Sequence, residues 1–239
     1  MQVLTHFLNS LLTISLLSQT LSWAQSGTRS SAYNGGMRFT LAHGRDVRQD
    51  STGQVYTLFN LGKKNQQIMK GTPYWAYPTW QHGSIQLKTG MAETPCQIAY
   101  NVATNEILCR FNQDTTTYQL EPVAFKIWDA KFVRLTQHGY PTYYQILYQG
   151  DAQLFSSYKR QMKLLLPQPY GSAYLIGYFL GLERYYYLKL PNGLFHTFQL
   201  TRKSFLQAMG DNVNRSLIPP GETLTVDDVV RVLTDYDAH

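Results

Sequence analysis

The residues best suited to chemistry in this 239-residue chain are a few histidines, a few acidic side chains and two cysteines. Three of the histidines stand directly before a glycine: His43, His82 and His138. Brought together by folding, three such imidazoles could bind zinc or transfer protons. The alternative, which we favour, is three separate turns in which histidine is tolerated. We therefore predict no metal site.

Carboxylates are the second candidate for acid–base chemistry. The acidic residues in predicted loops include Asp46, Asp50, Glu93, Asp114, Glu121 and Asp151. A glycosidase needs two carboxyl groups at a defined separation in space, and sequence spacing nominates no such pair. The nucleophile-elbow, zinc-protease, phosphate-loop and dinucleotide motifs are all absent from the sequence. We predict no catalytic residue and no cofactor. The alternative is an envelope hydrolase that uses loop carboxylates or histidines.

Both cysteines lie in one predicted β-hairpin, at Cys96 and Cys109. One strand register pairs the two cysteines and allows a disulfide between them. A second register pairs Tyr100 with Cys109 and places better turn residues, 103–106, between the strands. Both registers bury the same side chains, so the hydrophobic pattern does not choose between them and the disulfide stays open. Two thiols without a nearby histidine offer too few ligands for a metal.

The richest aromatic segment is "TPYWAYPTWQ", which places four rings around two prolines. The rings belong to Tyr74, Trp75, Tyr77 and Trp80. Such a loop can stack against sugars or contact a partner protein, and it can also simply cover the open end of a sheet. We favour the structural role, and these four residues are still the best candidates in the chain for binding a ligand or partner, which we expect to be an envelope protein or a glycan.

The N-terminus predicts export. Residues 1–24 contain no acidic side chain, lysine or arginine, and small residues precede a cleavage position after Ala24. Polar residues interrupt the apolar stretch, which is too short to span a bilayer. We expect a signal peptide followed by a flexible lead-in over 25–52, and no membrane span in the mature chain. The mature protein would be periplasmic, cell-surface or extracellular.

The chain is basic, with a formal net charge of +6 at pH 7. Basic proteins are attracted to polyanions in general. Lysine and arginine are scattered here, and their densest group, over 156–163, fits a solvated strand face. Because export also separates the protein from nucleic acid, we do not expect a nucleic-acid partner.

From residue 53 to 200 the chain is typical of a β-rich domain, since β-branched and aromatic residues recur in short runs between turn residues. Hairpins are predicted at Asn192-Gly193, as a type I′ turn, and at 149–151. The residues expected to share one face of the second hairpin are Tyr144, Ile146 and Tyr148. We predict a mainly β fold of antiparallel sheets and hairpins, sandwich-like or an open barrel, with two short C-terminal α-helices.

Residues 201–239 are predicted to form these helices, packed on the β domain. The apolar residues at helical spacing in the first are Phe205, Leu206 and Met209. Gly210 is placed to end that helix. Thr225 and Asp228 have the spacing of a capping box at the start of the second.

Several short motifs together resemble a group of uncharacterised exported proteins found in Bacteroidetes. The matching stretches are Gly71–Tyr74, Gly83–Leu87, Tyr100–Ile107, Leu147–Leu154, Tyr186–Leu188, Lys203–Leu206 and Asp227–Tyr236. The chain departs from the group's pattern at Ala99, where arginine is expected, and at Asp237, where asparagine is expected. The resemblance implies export and a β-rich fold, and its turn position favours the second hairpin register. It implies no reaction, because the group has no assigned activity.

Overall fold

The computed structural model describes residues 46–60, 66–112, 116–137, 139–165, 173–210 and 215–238. The predicted signal peptide and most of the predicted lead-in lie outside these residues, as do His43, Asp114 and His138. Within the predicted lead-in, Asp46–Gln49 forms a strand.

Strands dominate the described residues, as predicted. They are β1 Asp46–Gln49, β2 Val55–Asn60, β3 Gln66–Lys70, β4 Gln81–Gln86, β5 Thr94–Asn101, β6 Glu106–Arg110, β7 Tyr118–Leu120, β8 Ala124–Ile127, β9 Ala130–Gln137, β10 Tyr140–Gln149, β11 Gln153–Lys159, β12 Met162–Leu164, β13 Ala173–Phe179, β14 Glu183–Lys189 and β15 Phe195–Phe198. Helix α1 spans Arg202–Met209, helix α2 spans Val226–Asp237, and a 3-10 turn lies between them at Arg215–Leu217. The predicted mainly β fold with two C-terminal helices is confirmed.

The strands form two sheets. One has five strands in the order β1-β2-β3-β13-β12, and the other has ten in the order β15-β14-β11-β10-β9-β8-β4-β5-β6-β7. In the part of the chain described, β3 and β13 pair in parallel and the other named strand pairs are antiparallel. Short connections favour antiparallel neighbours, whereas β3 and β13 are distant in the chain.

The ten-stranded sheet curls toward itself. The side chain of Asn105, in the turn between β5 and β6, donates to the carbonyl of Pro141 at 3.1 Å. The same side chain accepts the backbone N–H of Tyr143, on β10, at 3.4 Å. Three strands separate β5 from β10 in the sheet order, so these bonds require strong curvature. The sheet is not closed, because β15 and β7 remain its two edges.

Two hydrophobic clusters lie along this sheet. In the first, Phe125 and Phe132 stack at 4.6 Å between ring centroids, and Tyr100 packs edge-on against Phe125 at 5.4 Å. In the second, the helices contribute fully buried Phe205 and Val229 against strand residues. Each such fully buried side chain stabilises the fold by about 1.5–3 kcal/mol. The apolar stripes of α1 and α2 therefore explain why both helices pack on the sheet.

The helix ends follow the predicted capping chemistry. The hydroxyl of Thr201 accepts the backbone N–H of Ser204 at 3.2 Å at the start of α1, and Gly210 ends it with a φ of 64°. At α2, Thr225 and Asp228 form the full capping box. No helix among the residues that the structure describes is both long and apolar enough to cross a membrane.

The β5–β6 hairpin adopts neither of the two registers considered from the sequence. Cys109 pairs with Ile98, and Asn101 pairs with Glu106, so the loop covers 102–105. The Asn101 side chain accepts the backbone N–H of the second loop residue at 3.1 Å, and Asn105 takes a φ of 60°. Asparagine tolerates this left-handed conformation and its side chain mimics a backbone turn. Both predicted registers, including the one favoured by the resemblance, are therefore wrong.

A bulge changes the face of one predicted strand residue. The pairing of β10 with β11 shifts between Ile146 and Tyr148, so Leu147 is an extra residue. A bulge of this kind moves the side chains that follow it to the other face. Tyr148 packs against the second hydrophobic cluster, the one that includes helix residues, and its hydroxyl donates to the carboxylate of Asp237 at 2.7 Å. The prediction that Tyr148 shares a face with Tyr144 and Ile146 is wrong, because alternation cannot reveal an inserted residue.

The β14–β15 turn lies where Asn192-Gly193 predicted it, with a different geometry. Gly193 has a φ of 83° and donates its N–H to the carbonyl of Leu190 at 2.9 Å, whereas Asn192 lies outside the left-handed region. This matches a type I turn followed by a left-handed glycine, and not the predicted type I′ turn. Pro191 favours this geometry because its ring holds φ near −65°, which suits the first central position of a type I turn.

Candidate functional site

The aromatic segment predicted to bind a ligand connects β3 to β4 and is fixed by the β5–β6 hairpin. The backbone N–H of Trp75 donates to Tyr100 at 2.8 Å, and that of Val102 donates to Pro73 at 3.0 Å. Tyr74, in an isolated bridge with Asn101, is only 3% exposed. Tyr74 therefore lies inside the fold, while the residues that follow it reach the surface.

The other three predicted rings separate onto different surfaces. Trp75 is half-buried, edge-on to Phe132 with ring centroids 5.5 Å apart. Trp80 is also half-buried, with the guanidinium of Arg110 3.8 Å above its ring. Arg110 follows Cys109, which shares the cluster of Phe132, so alternation puts Trp75 and Trp80 against opposite faces of the sheet. Tyr77 is 39% exposed. The structure does not unite the four rings in one platform.

The sequence interpretation missed Trp128. This residue occupies the two-residue turn between β8 and β9, where Ile127 pairs with Ala130, and it is 54% exposed. Its φ is 51°, a conformation that costs a bulky residue about 1–2 kcal/mol. Its ring lies 6.0 Å from that of Trp75, centroid to centroid, at an angle of 51°. The signal that could have found it is a bulky aromatic residue beside Asp129, a turn-forming residue between two short runs of β-forming residues.

Trp75 joins Trp128 to a third ring. Tyr158, half-buried on β11, lies 5.9 Å from Trp75 between centroids, and its hydroxyl donates to the side-chain oxygen of Gln145. We call Trp75, Trp128 and Tyr158 the aromatic platform. Its residues come from the β3–β4 connection, the β8–β9 turn and β11, and the curvature of the sheet brings these elements together.

Two arginines stand beside Tyr158. Arg184 lies directly opposite Tyr158 on β14, with its guanidinium carbon 5.5 Å from the Tyr158 ring centroid. Arg160 directly follows β11, two residues after Tyr158, and its Nη1 donates to the carbonyl of Thr72 at 2.7 Å. Its Nε is buried without a hydrogen-bond partner, and burial lowers the pKa of Arg160. Among the described residues neither arginine forms an ion pair, so the positive charge at this end of the platform is poorly compensated there.

Three of the predicted loop carboxylates form ion pairs, each with a different basic residue. The ion pairs are Asp46–Arg48 at 2.8 Å, Glu93–Lys126 at 2.9 Å and Glu121–Arg134 at 3.0 Å. Hydrogen bonds from Lys126 and Ser84 hold the pKa of Glu93 below its usual range, and a bond from Thr52 does the same for Asp50. A general acid requires the opposite shift, because it must stay protonated near neutral pH.

Of the three glycine-preceding histidines, His82 lies within the described ranges. It is an exposed residue of β4 paired with Gln97, and not part of a turn. Across the ranges that the structure describes, no three His, Cys, Asp or Glu side chains are grouped so that they could hold a metal ion.

The two cysteines are buried neighbours with free thiols. Cys109 faces Ile98, so Cys96 lies diagonally across the hairpin, two residues further along its strand. A hydrogen bond between the thiols lowers the pKa of Cys96, while the same bond together with burial raises that of Cys109. The disulfide stays a prediction.

Comparisons of the chain with protein-family models, with curated proteins and with solved structures found no match. The resemblance to exported Bacteroidetes proteins therefore stays a prediction as well.

Proposed function

We propose that this protein is an exported, non-enzymatic module that binds a surface glycan on the aromatic platform. The observation that carries the proposal is Trp128, a bulky ring held half in solvent, beside Trp75, by a left-handed backbone. Strained residues of this kind cluster at ligand-binding sites, where their cost is offset by function.

The size of the platform favours a glycan over a protein partner. A fully exposed aromatic side chain offers about 150–250 Å². With Trp128 54% exposed and Trp75 and Tyr158 mostly buried, the platform offers roughly 200–300 Å². A stable protein interface buries about 800 Å² on each partner. Three rings with polar groups at the rim suit the smaller apolar face of a sugar.

The envelope hydrolase that we considered as the alternative has weaker support. Three of the carboxylates that it would use form ion pairs with separate basic residues. The pKa values of Asp50 and Glu93 are lowered, which does not suit a general acid. We therefore retain the non-enzymatic proposal.

Export is part of the same proposal, and it is supported by the composition of residues 1–24. The test is the intact mass of the protein recovered from the periplasm, cell surface or medium of its native cells. A chain that begins at Gln25 supports the proposal, and a chain recovered from the cytoplasm with residues 1–24 attached overturns it.

Glycan binding is tested by affinity electrophoresis of the purified protein in gels that contain cellulose derivatives, xylan, chitosan or polygalacturonate. The test variant is Trp128→Ala, and the matched control is Tyr140→Ala. Tyr140 is 78% exposed and begins β10, where it pairs with Gln137 at the far end of the eight-residue strand β9, roughly 25 Å from Trp128. Thermal unfolding of each variant checks that it folds.

Retardation by at least one polysaccharide, lost in Trp128→Ala and kept in Tyr140→Ala, supports the proposal. Migration unchanged by every polysaccharide overturns it, as does retardation that survives in Trp128→Ala. Crosslinking in intact envelopes supplies a further check. A stoichiometric protein partner captured through the position of Trp128 would overturn the glycan assignment in favour of a protein interface.

A further inference from the structure

We infer that the glycan is acidic, and that Arg184 binds a uronate carboxylate while the aromatic platform stacks on the sugar ring. This inference rests on the proposed function and names the class of its ligand.

Arg184 differs from the arginines that serve as surface ion pairs. Arg48, Arg134 and Arg231 each contact a carboxylate at 2.8–3.0 Å. Arg184 is exposed, and its one side-chain hydrogen bond among the described residues goes to the neutral amide of Gln145 at 3.4 Å. Most of its five N–H donors are therefore available to a ligand.

The orientation of Arg184 suits a carboxylate. Its guanidinium carbon lies 5.5 Å from the ring centroid of Tyr158 and 5.1 Å from that of Tyr186. Packing against two rings restrains the guanidinium plane, which reduces the entropy lost when it binds a ligand. The donors at its edge match the two oxygens of a carboxylate in a bidentate arrangement.

Arg160 strengthens the positive potential at this end of the platform. It lies two residues after Tyr158 at the end of β11, on the side of the chain that contacts the β3–β4 connection. Within the described ranges it forms no ion pair, and its Nη1 donates to the neutral carbonyl of Thr72. A nearby anion would compensate a charge that the described residues leave uncompensated.

Two carboxylates, Glu183 and Asp129, are chain neighbours of Arg184 and Trp128. Glu183 is adjacent to Arg184 on β14, so its side chain points to the opposite face, where it accepts from the Tyr185 hydroxyl at 2.6 Å. Asp129 lies beside Trp128, at the other end of the platform. We expect a carboxylate of the glycan to lie at Arg184 and the uncharged faces of its sugar rings to lie toward Trp128.

The test compares two polymers with the same sugar ring, polygalacturonate and its fully methyl-esterified form, at 150 mM salt. Binding is measured by tryptophan fluorescence, because the platform contains two indoles. We expect polygalacturonate to bind at least tenfold more tightly. The variant Arg184→Gln should lose about tenfold in affinity for polygalacturonate and little for the ester, as expected for a charge-assisted hydrogen bond. Arg184→Lys should lose less, because it keeps the charge without the bidentate geometry.

The matched control is Arg231→Gln, which removes the same charge from an exposed position on α2. Equal losses in Arg184→Gln and Arg231→Gln would show general attraction to a polyanion and overturn the inference. Equal affinity for the acid and the ester, abolished for both by Trp128→Ala, would overturn the acidic specificity and leave the proposed function standing. Failure of both polymers and of the polysaccharide panel to bind would overturn both.

Discussion

Replacing Gly83 with alanine should destabilise the protein strongly, although alanine usually suits a strand better than glycine does. Gly83 lies in β4, between β5 and β8, where it pairs with Cys96 and Ile127. A Cβ added there would lie 2.1 Å from the carbonyl oxygen of Lys126 and 2.7 Å from Cγ2 of Ile98. Neither distance is tolerable for non-bonded atoms.

The magnitude follows from what would have to move. The Lys126 oxygen belongs to the backbone of β8, which is hydrogen-bonded to β4, so the clash is relieved only by shifting a strand. Inserting a methyl group into such a close-packed position costs about 1–3 kcal/mol or more. For a folded unit of this size each 1 kcal/mol lowers Tm by about 2–4 °C. We expect Gly83→Ala to lower Tm by roughly 2–12 °C.

The assay is equilibrium urea unfolding followed by circular dichroism, with Tm measured in parallel. Gly181→Ala is the control, because nothing lies within 4 Å of a Cβ built at Gly181 and its backbone is not left-handed. The control should stay within about 0.5 kcal/mol of the parent or be slightly more stable, since alanine reduces the entropy of the unfolded chain. Equal stability of the two variants would refute the close approach of β4 to β8 at this position.

Three further predictions address the site turn, the cysteines and α2. In urea unfolding, the Trp128→Gly variant should be more stable than Trp128→Ala by about 1 kcal/mol, because glycine adopts a positive φ without a Cβ penalty. The reverse order of stability would contradict the left-handed turn. Incubation with oxidised glutathione should link Cys96 to Cys109, because their thiols are close enough to share a hydrogen bond and each loses a hydrogen as glutathione is reduced. Peptide mapping that recovers both cysteines unlinked would count against the pairing. A hydrogen bond from the Thr225 backbone holds the pKa of Asp228 below its usual range, so the ionised carboxylate stabilises the fold fully above the unfolded pKa near 4, and this stabilisation is lost as pH falls through the folded pKa. Asp228→Asn should therefore weaken the fall of the urea midpoint at acid pH. Parallel pH profiles for parent and variant would argue against this.

Features with local causes were predictable from the sequence. The ends of α1 and α2 depend on hydrogen bonds between residues three apart, as at Thr225 and Asp228, so the letters themselves carry the signal. The hairpins at 149–151 and at Asn192-Gly193 were located for the same reason. Turn geometry was less accessible, because Pro191 redirected a turn that Asn-Gly alone would have made type I′.

Register was not predictable, because strand pairing depends on bonds between distant residues. The two trial pairings of Cys109, with Cys96 and with Tyr100, buried the same side chains, and the actual partner is Ile98. Leu147 likewise shows no sign in the sequence of being the extra residue of a bulge. Hydrophobic alternation records which face is buried, and it does not record which residues lie opposite one another.

By itself, the sequence determined the β-rich class, the two helices with their caps, and the aromatic character of the 73–80 segment, because each of these depends on neighbouring residues. Only the tertiary structure decided which rings meet. It placed Tyr74 inside the fold, and it joined Trp75 to Trp128 and Tyr158 beside Arg184, residues from four separate segments. Their proximity arises from the curvature of the ten-stranded sheet and from a left-handed turn, and both are set by packing between residues far apart in the chain.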